Sequence, residues 1–237
     1  MSSRLASFKG PSTPTSSPAQ AQKRGGGNSA PNSPSRAGST ESTYHRQVRA
    51  AMQELQSIAQ TWDELVLHDG LRAAKTLVDS RTELENALAL VVGRKPKTHL
   101  VSEKISVMEK CIVDLDVILG KLRKQFQKMN TIIDSLETVL QNAHKTKGWQ
   151  WVSTEPLWVT WPLEKFVTEV PDLLVPYHRS LEEHSDMIQR LRSHSLSFEE
   201  SRLIVSEWAA QTDLEDEGWD AKWNDLCAAE IDRWGRR

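Results

Sequence analysis

Large apolar residues recur at helical spacing along most of the chain. From Tyr44 onward, Val48, Met52, Leu55, Ala59, Trp62 and Val66 follow one another at alternating steps of four and three, which places them on one stripe of a helix. His68-Asp69-Gly70 interrupts the run, and Leu71, Ala74, Leu77 or Val78, Leu84, Leu88 and Val91 resume it. Gly93 and Pro96 end it, as a C-terminal glycine and a following proline do, so the pattern predicts a helix over 44–92. The spacing leaves open whether Gly70 bends this helix or is absorbed at a cost near 1 kcal/mol.

The second stripe is the most regular. Ile105, Met108, Ile112, Leu115, Leu119, Leu122, Phe126, Met129, Ile133, Leu136 and Leu140 step by three and four without exception, a coiled-coil seam on a helix over 100–144. At 1.5 Å per residue the seam is about 50 Å long, and a helix with so long an apolar edge needs a partner. The preceding helix is the nearest one, and the short connection at 93–100 makes the pair an antiparallel hairpin. The alternative partner is a second copy of the chain, in a homodimeric coiled coil.

Lys145, Lys147 and Gly148 close this helix, and Trp149, Trp151, Trp158 and Trp161 then crowd around Pro156 in a Trp-rich loop over 145–161. A third helix over 162–193 begins at Pro162, a residue suited to a first helical turn. Its stripe runs through Leu163, Phe166, Val170, Leu174, Tyr177, Leu181, His184, Ile188 and Leu191, with Pro171 and Pro176 expected to kink or break it near its start. Short helices fill 197–237. Ser197 and Glu200 make a capping box, and Trp219, Trp223, Leu226, Ile231 and Trp234 form a last apolar face behind the acids Asp213, Glu215, Asp216 and Glu217. No segment of strand period longer than the Trp-rich loop occurs. The expected fold is all-α: a long antiparallel helical hairpin packed with a third long helix and short C-terminal helices.

Residues 1–43 differ in kind. Leu5 and Phe8 are their only large aliphatic or phenyl side chains among Ser, Pro, Gly, Thr and Ala, too little burial to offset the roughly 1 to 2 kcal/mol per residue that ordering a backbone costs. A disordered tail is expected there. Arg4, Lys9, Lys23, Arg24 and Arg36 against Glu41 make it mildly positive, while the whole chain has 30 Lys and Arg against 32 Asp and Glu, a net charge of -2. Thr13, Ser17 and Ser33 each precede a proline, and Ser33-Pro34-Ser35-Arg36 has the form favoured by proline-directed cell-cycle kinases. Phosphorylation at these sites would carry the tail towards negative charge. The balanced overall charge argues against direct nucleic-acid binding. Cys111 and Cys227, more than a hundred residues apart, suit neither a disulfide framework nor a zinc cage and point to a reducing compartment. No apolar run reaches the roughly 18 residues that span a bilayer, and the N-terminus has no secretory apolar region, so no membrane partner is expected.

Candidate chemistry is sparse. The histidines are scattered, Gly25-Gly26-Gly27 has neither a strand before it nor a helix after it, and the paired acids Glu182-Glu183 and Glu199-Glu200 read as solvated helix face and cap. The expectation is a chain with no catalytic, cofactor-binding or metal-ligating residues. The nine tryptophans carry the remaining information. Trp62 lies in a stripe and reads as core. Trp158, Trp161, Pro162, Phe166, Trp219, Trp223 and Trp234 are the candidate partner-binding residues, because Trp is the side chain most enriched at protein-binding hot spots.

Pro156-Leu157, Thr160-Trp161-Pro162, Phe166, Leu173-Leu174, Tyr177 and Leu181 resemble, in that order, the cyclin-dependent kinase 2-interacting protein family. More loosely, Trp62, Leu65 and Gly70 are similar to that family's early Trp, Leu and Gly, with one residue more between Leu and Gly here, and Trp208 is similar to a Trp of its penultimate helix. The chain departs from the pattern in its longer Ser/Pro tail, in Pro171 and Pro176, and in its Trp-rich C-terminus. The resemblance implies a nuclear adaptor without enzymatic activity, present in the cytoplasm as well. It implies partners among cell-cycle kinases, replication factors and assemblies built on AAA-type ATPases, in DNA replication, genome-stability signalling and ribosome maturation. The alternatives from the residues alone are a homodimeric coiled-coil structural protein, of a kinetochore or cytoskeletal assembly, and an enzyme whose pocket the Trp-rich loop would roof.

Overall fold

The computed structural model describes residues 41–89, 98–193, 195–215 and 219–232. The expected N-terminal tail up to residue 40 with Thr13, Ser17 and Ser33, most of the hairpin connection, the acids Asp216 and Glu217, and Trp234 lie outside these. The chain is all-α. Among the described residues there is no β-strand, and no helix is long and apolar enough to cross a membrane.

Helix α1 (Thr43–Asp63) passes through a π-helical turn (Glu64–Gly70) directly into α2 (Leu71–Ala89), and α3 (Thr98–Lys147) runs back antiparallel to both. The direction is fixed at the two ends. Tyr44 at the start of α1 hydrogen-bonds through its hydroxyl to Thr146 at the end of α3 (2.6 Å), and Glu83 late in α2 pairs with Lys104 early in α3. A short α4 (Trp149–Thr154) follows α3, so part of the expected Trp-rich loop is a helical turn. Gly148, at φ 84°, supplies the reversal between α3 and α4, in the left-handed region that favours glycine.

The third layer is α5 (Leu163–Glu169), a 3₁₀ turn (Pro171–Leu174) and α6 (Val175–Arg192). Pro171 has no N–H to give the preceding turn, and the 3₁₀ segment is where the expected break falls. Helix α7 (Phe198–Ala210) starts at the capping box: the Ser197 hydroxyl accepts from the Glu200 N–H (3.2 Å), and the Glu200 carboxylate accepts from the Ser197 N–H (3.0 Å). Then come α8 (Thr212–Glu215), α9 (Trp219–Leu226) and a closing π-turn (Cys227–Asp232).

The α3 seam is covered within the chain. Met108, Leu115, Leu119, Leu122, Met129, Ile133 and Leu136 are buried, and so are Cys111, Ile118, Ile132, Val139 and Ala143 beside them. The buried face is therefore wider than a coiled-coil seam, as it must be where α1 and α2 cover one side and α5 and α6 another. At the connecting end the expectation fails: Ile105 is 43% exposed and Leu88 44%. The ion pair of Arg192 with Asp116 marks how far α6 reaches along α3.

Two buried polar contacts lock α7 to the rest. Arg81 of α2 donates to the Leu191 carbonyl at the end of α6 (2.7 Å) and to the Ser201 hydroxyl of α7 (3.5 Å). Trp208 of α7, fully buried, donates its indole N–H to the Val66 carbonyl (3.0 Å) inside the π-turn and stands edge-on to His184, ring centroids 4.5 Å apart. The π-turn shifts the backbone partner of Val66 one residue on, to the N–H of Leu71, and leaves its carbonyl angled towards the indole. Gly70 answers the question its sequence posed: the Trp208 ring occupies the space its side chain would need, and a Cβ there would stand 2.6 Å from Cζ2.

Alanine at Gly70 gains about 1 kcal/mol of helix propensity. It loses about 1 to 3 kcal/mol to overpacking, because a buried, hydrogen-bonded ring cannot retreat. The overpacking wins. Gly70→Ala is expected to lower the urea midpoint of unfolding, and a midpoint at or above that of the parent chain would contradict this packing.

Candidate protein-binding site

The segment between α4 and α5 is a closed loop. Pro156 and Pro162 lie opposite one another in an isolated antiparallel bridge, and the Leu157 N–H donates to the Trp161 carbonyl (2.9 Å). Two prolines without N–H groups make the rim.

Its inner wall is aromatic. Trp158 is buried edge-on against Phe166 (ring centroids 5.5 Å apart) and His45 of α1 (5.4 Å), with the Arg49 guanidinium 5.5 Å from its ring centroid. Its indole N–H donates to Glu41 (3.4 Å), which also holds Arg49 in a bidentate ion pair. His45 donates from Nε2 to the Leu157 carbonyl (2.5 Å), an acceptor only, which leaves Nδ1 to take the Ser42 hydroxyl proton (2.7 Å). Burial pushes the His45 pKa down, against the opposing pull of that carbonyl and of Glu41, so the neutral ring is the one that fits.

Its outer wall is mixed. Trp161 is half-buried, with the Lys165 ammonium 4.3 Å from its ring centroid and Phe166 beneath it at 5.3 Å. The Glu230 carboxylate, on the closing π-turn, enters the loop from the C-terminal side. Its Oε2 accepts from three successive backbone N–H groups, Val159 (3.3 Å), Thr160 (3.0 Å) and Trp161 (3.2 Å), and its Oε1 pairs with the Thr160 hydroxyl (2.5 Å). Three consecutive N–H groups converging on one oxygen form an anion nest. Burial alone would raise the Glu230 pKa, but these four donors outweigh it and hold the carboxyl below its ordinary value. Beside Glu230 a cavity of about 580 Å³ separates Trp161, Leu173 and Pro176 from Lys222, Leu226 and Ala229.

The structure therefore brings Trp158, Trp161 and Pro162 of the loop together with Phe166 of α5, with Trp223 buried on the nearby α9. Phe166 is fully buried and Trp158 nearly so, and both are spent on the chain's own packing. A protein docking on this surface as it stands meets Trp161 and Lys165. Trp219 begins α9, its side chain outside the described residues, as is the whole of Trp234. Two features had no part in the sequence-based site. Glu230 has no motif around it, and a nest is built of backbone groups that no residue type advertises. Trp149 stood in the sequence as one of four clustered tryptophans, yet it alone of these is largely exposed, 59% against half-burial for Trp151, which tilts over Tyr44 (5.7 Å).

Cys111 and Cys227 are buried thiols, not joined to one another, and burial together with Asp114 pushes the Cys111 pKa up, away from a reactive thiolate. Among the described residues no group of three His, Cys, Asp or Glu side chains is placed to hold a metal ion. No protein-family model matches the chain, and a search of curated proteins finds no relative.

A carboxyl held below its ordinary pKa stabilises the fold above the unfolded-state value, about 4.3 for Glu, and ceases to do so as pH falls through the native value. Glu230→Gln removes that contribution at every pH. The gap in melting temperature between the parent chain and Glu230→Gln is expected to be constant from pH 7 to 5 and to narrow below about pH 4. A gap that widens on acidification would contradict the assignment.

Proposed function

We propose that the chain is a non-enzymatic adaptor, a subunit of a nuclear multiprotein complex that joins cell-cycle kinases or AAA-type ATPases to DNA replication, genome stability or ribosome maturation. The observation that carries the adaptor reading is Trp149. It lies 59% exposed at the far end of the 50-residue α3, held out by the left-handed turn at Gly148, with the edge-on ring of His144 (5.8 Å) beside it. Lys145 and Lys147 stand exposed beside it. A large aromatic kept in water at the tip of a rigid rod, with a basic rim, has the composition of a binding hot spot.

The choice of complex rests on the resemblance to the cyclin-dependent kinase 2-interacting protein family. The π-turn supports that comparison at one point. The chain has one residue more than the family's spacing between Leu65 and Gly70, and a π-turn is the way a helix takes in one residue without breaking. A homodimeric coiled coil would need a second apolar stripe. On the exposed face of α3, Val113 and Val117 (58% and 52% exposed) supply a single turn of one, which favours the adaptor over the dimer.

Purification from cells at native expression, followed by mass spectrometry, is expected to recover a cell-cycle kinase or an AAA-type ATPase in stoichiometric amount. Trp149→Ala should reduce that recovery by about tenfold or more while leaving the circular dichroism spectrum unchanged. Recovery of the same partners at undiminished stoichiometry by the variant would remove the observation on which the reading stands.

A further inference from the structure

We propose that the nest formed by Val159, Thr160 and Trp161 is a carboxylate-binding site for a helix of a partner protein, and that Glu230 fills it as an exchangeable stand-in. The nest is built without its occupant. The Pro156–Pro162 bridge and the Leu157–Trp161 hydrogen bond close the loop, and no residue of 219–232 takes part in either. A receptor shaped in advance binds without the cost of ordering its own groups.

The chemistry selects an anion. Three N–H groups and one hydroxyl converge on the two oxygens of a single carboxylate, and the Lys165 ammonium over Trp161 adds positive charge to the same wall. Emptied of its carboxylate, the loop would leave three amide donors unpaired, so the site calls for a replacement when Glu230 leaves.

The occupant is held in a way that lets it leave. Its element, α9 and the closing π-turn, lays Trp223, Leu226 and Ile231 on the body, yet a cavity of about 580 Å³ stays open along the seam beside Glu230. Exposed Lys222 and Asp225 on its wall open this groove to solvent, so the seam is wet along one side. The chain's own element also specifies the ligand that would take its place: an amphipathic helix with a carboxylate next to an aliphatic residue, as Glu230 is next to Ile231, and with apolar residues one and two turns before it. The identity of the partner rests on the adaptor reading, but the site does not. Capture of the peptide below together with failure to recover any cellular partner would sink that reading and leave the nest standing.

The probe is a fluorescent synthetic peptide of residues 216–237, added to the full chain and followed by anisotropy. It is expected to bind the Glu230→Gln chain about tenfold more tightly than the parent chain, whose own carboxylate competes, and the same peptide carrying Gln in place of Glu should lose that binding. Equal affinity for both chains, equal affinity of both peptides, or no binding to either chain would overturn the proposal. Should Glu230→Gln fail to fold, hydrogen exchange on the parent chain decides. The amides of 159–161 are expected to exchange by a local opening that leaves α3 protected. Exchange of these amides only with global unfolding would overturn the exchangeable stand-in.

Discussion

The structure depends on one constraint, that the apolar face of α3 cannot be left in water. A helix of 50 residues has far more apolar edge than one short neighbour can hide. The chain answers with two covers of different kinds. α1 and α2, continuous through the π-turn, follow α3 along its length, while α5 and α6 add a second layer over its C-terminal two-thirds, up to the Arg192–Asp116 pair. At about 25 cal/mol per Å² of apolar surface, burial of side chains such as Leu115, Leu122, Met129 and Leu136 is the dominant favourable contribution, and the polar contacts serve to choose the register.

Those polar contacts explain why the second layer sits where it does. The π-turn presents the Val66 carbonyl, Gly70 clears a space, and Trp208 fills both, which fixes α7; Arg81 then ties α7 and the end of α6 back to α2. With α6 fixed, the 3₁₀ turn at Pro171 sets the direction of α5, and α5 presents Phe166 to Trp158 and Trp161. The loop that receives Glu230 is thus the last consequence of a chain of placements that starts at α3. His184, wedged against Trp208, titrates in the same region: burial, against the pull of the Ser180 carbonyl, lowers its pKa, so the neutral ring belongs to the folded state.

Helical stripes, the break at Pro171 and the Ser197–Glu200 capping box were legible in the sequence because each depends on residues close together along the chain. The exposure of Ile105 and Leu88 was not. Periodicity tells which face of a helix is apolar, but how far a covering layer reaches is a tertiary fact. The π-turn was hidden for a related reason, since one inserted residue shifts the stripe by an amount that scatter in the spacing conceals, and only the interruption at His68-Asp69-Gly70 and the extra residue before Gly70 hinted at it. The candidate site was legible in half. The four clustered tryptophans marked the right segment, yet residue type could not separate buried Trp158 from exposed Trp149, and nothing marked Glu230, some seventy residues from the backbone groups that hold it.

The measurement that bears most directly on this account is the stability of a chain with Leu122→Asp, at the fully buried midpoint of α3. An unpaired charge there has no donor within the apolar face, and the cost exceeds about 4 kcal/mol. Loss of the cooperative urea transition, with a fall in helical ellipticity, is the predicted result. A variant that keeps the parent midpoint and helix content would show that the face of α3 is not what holds the molecule together.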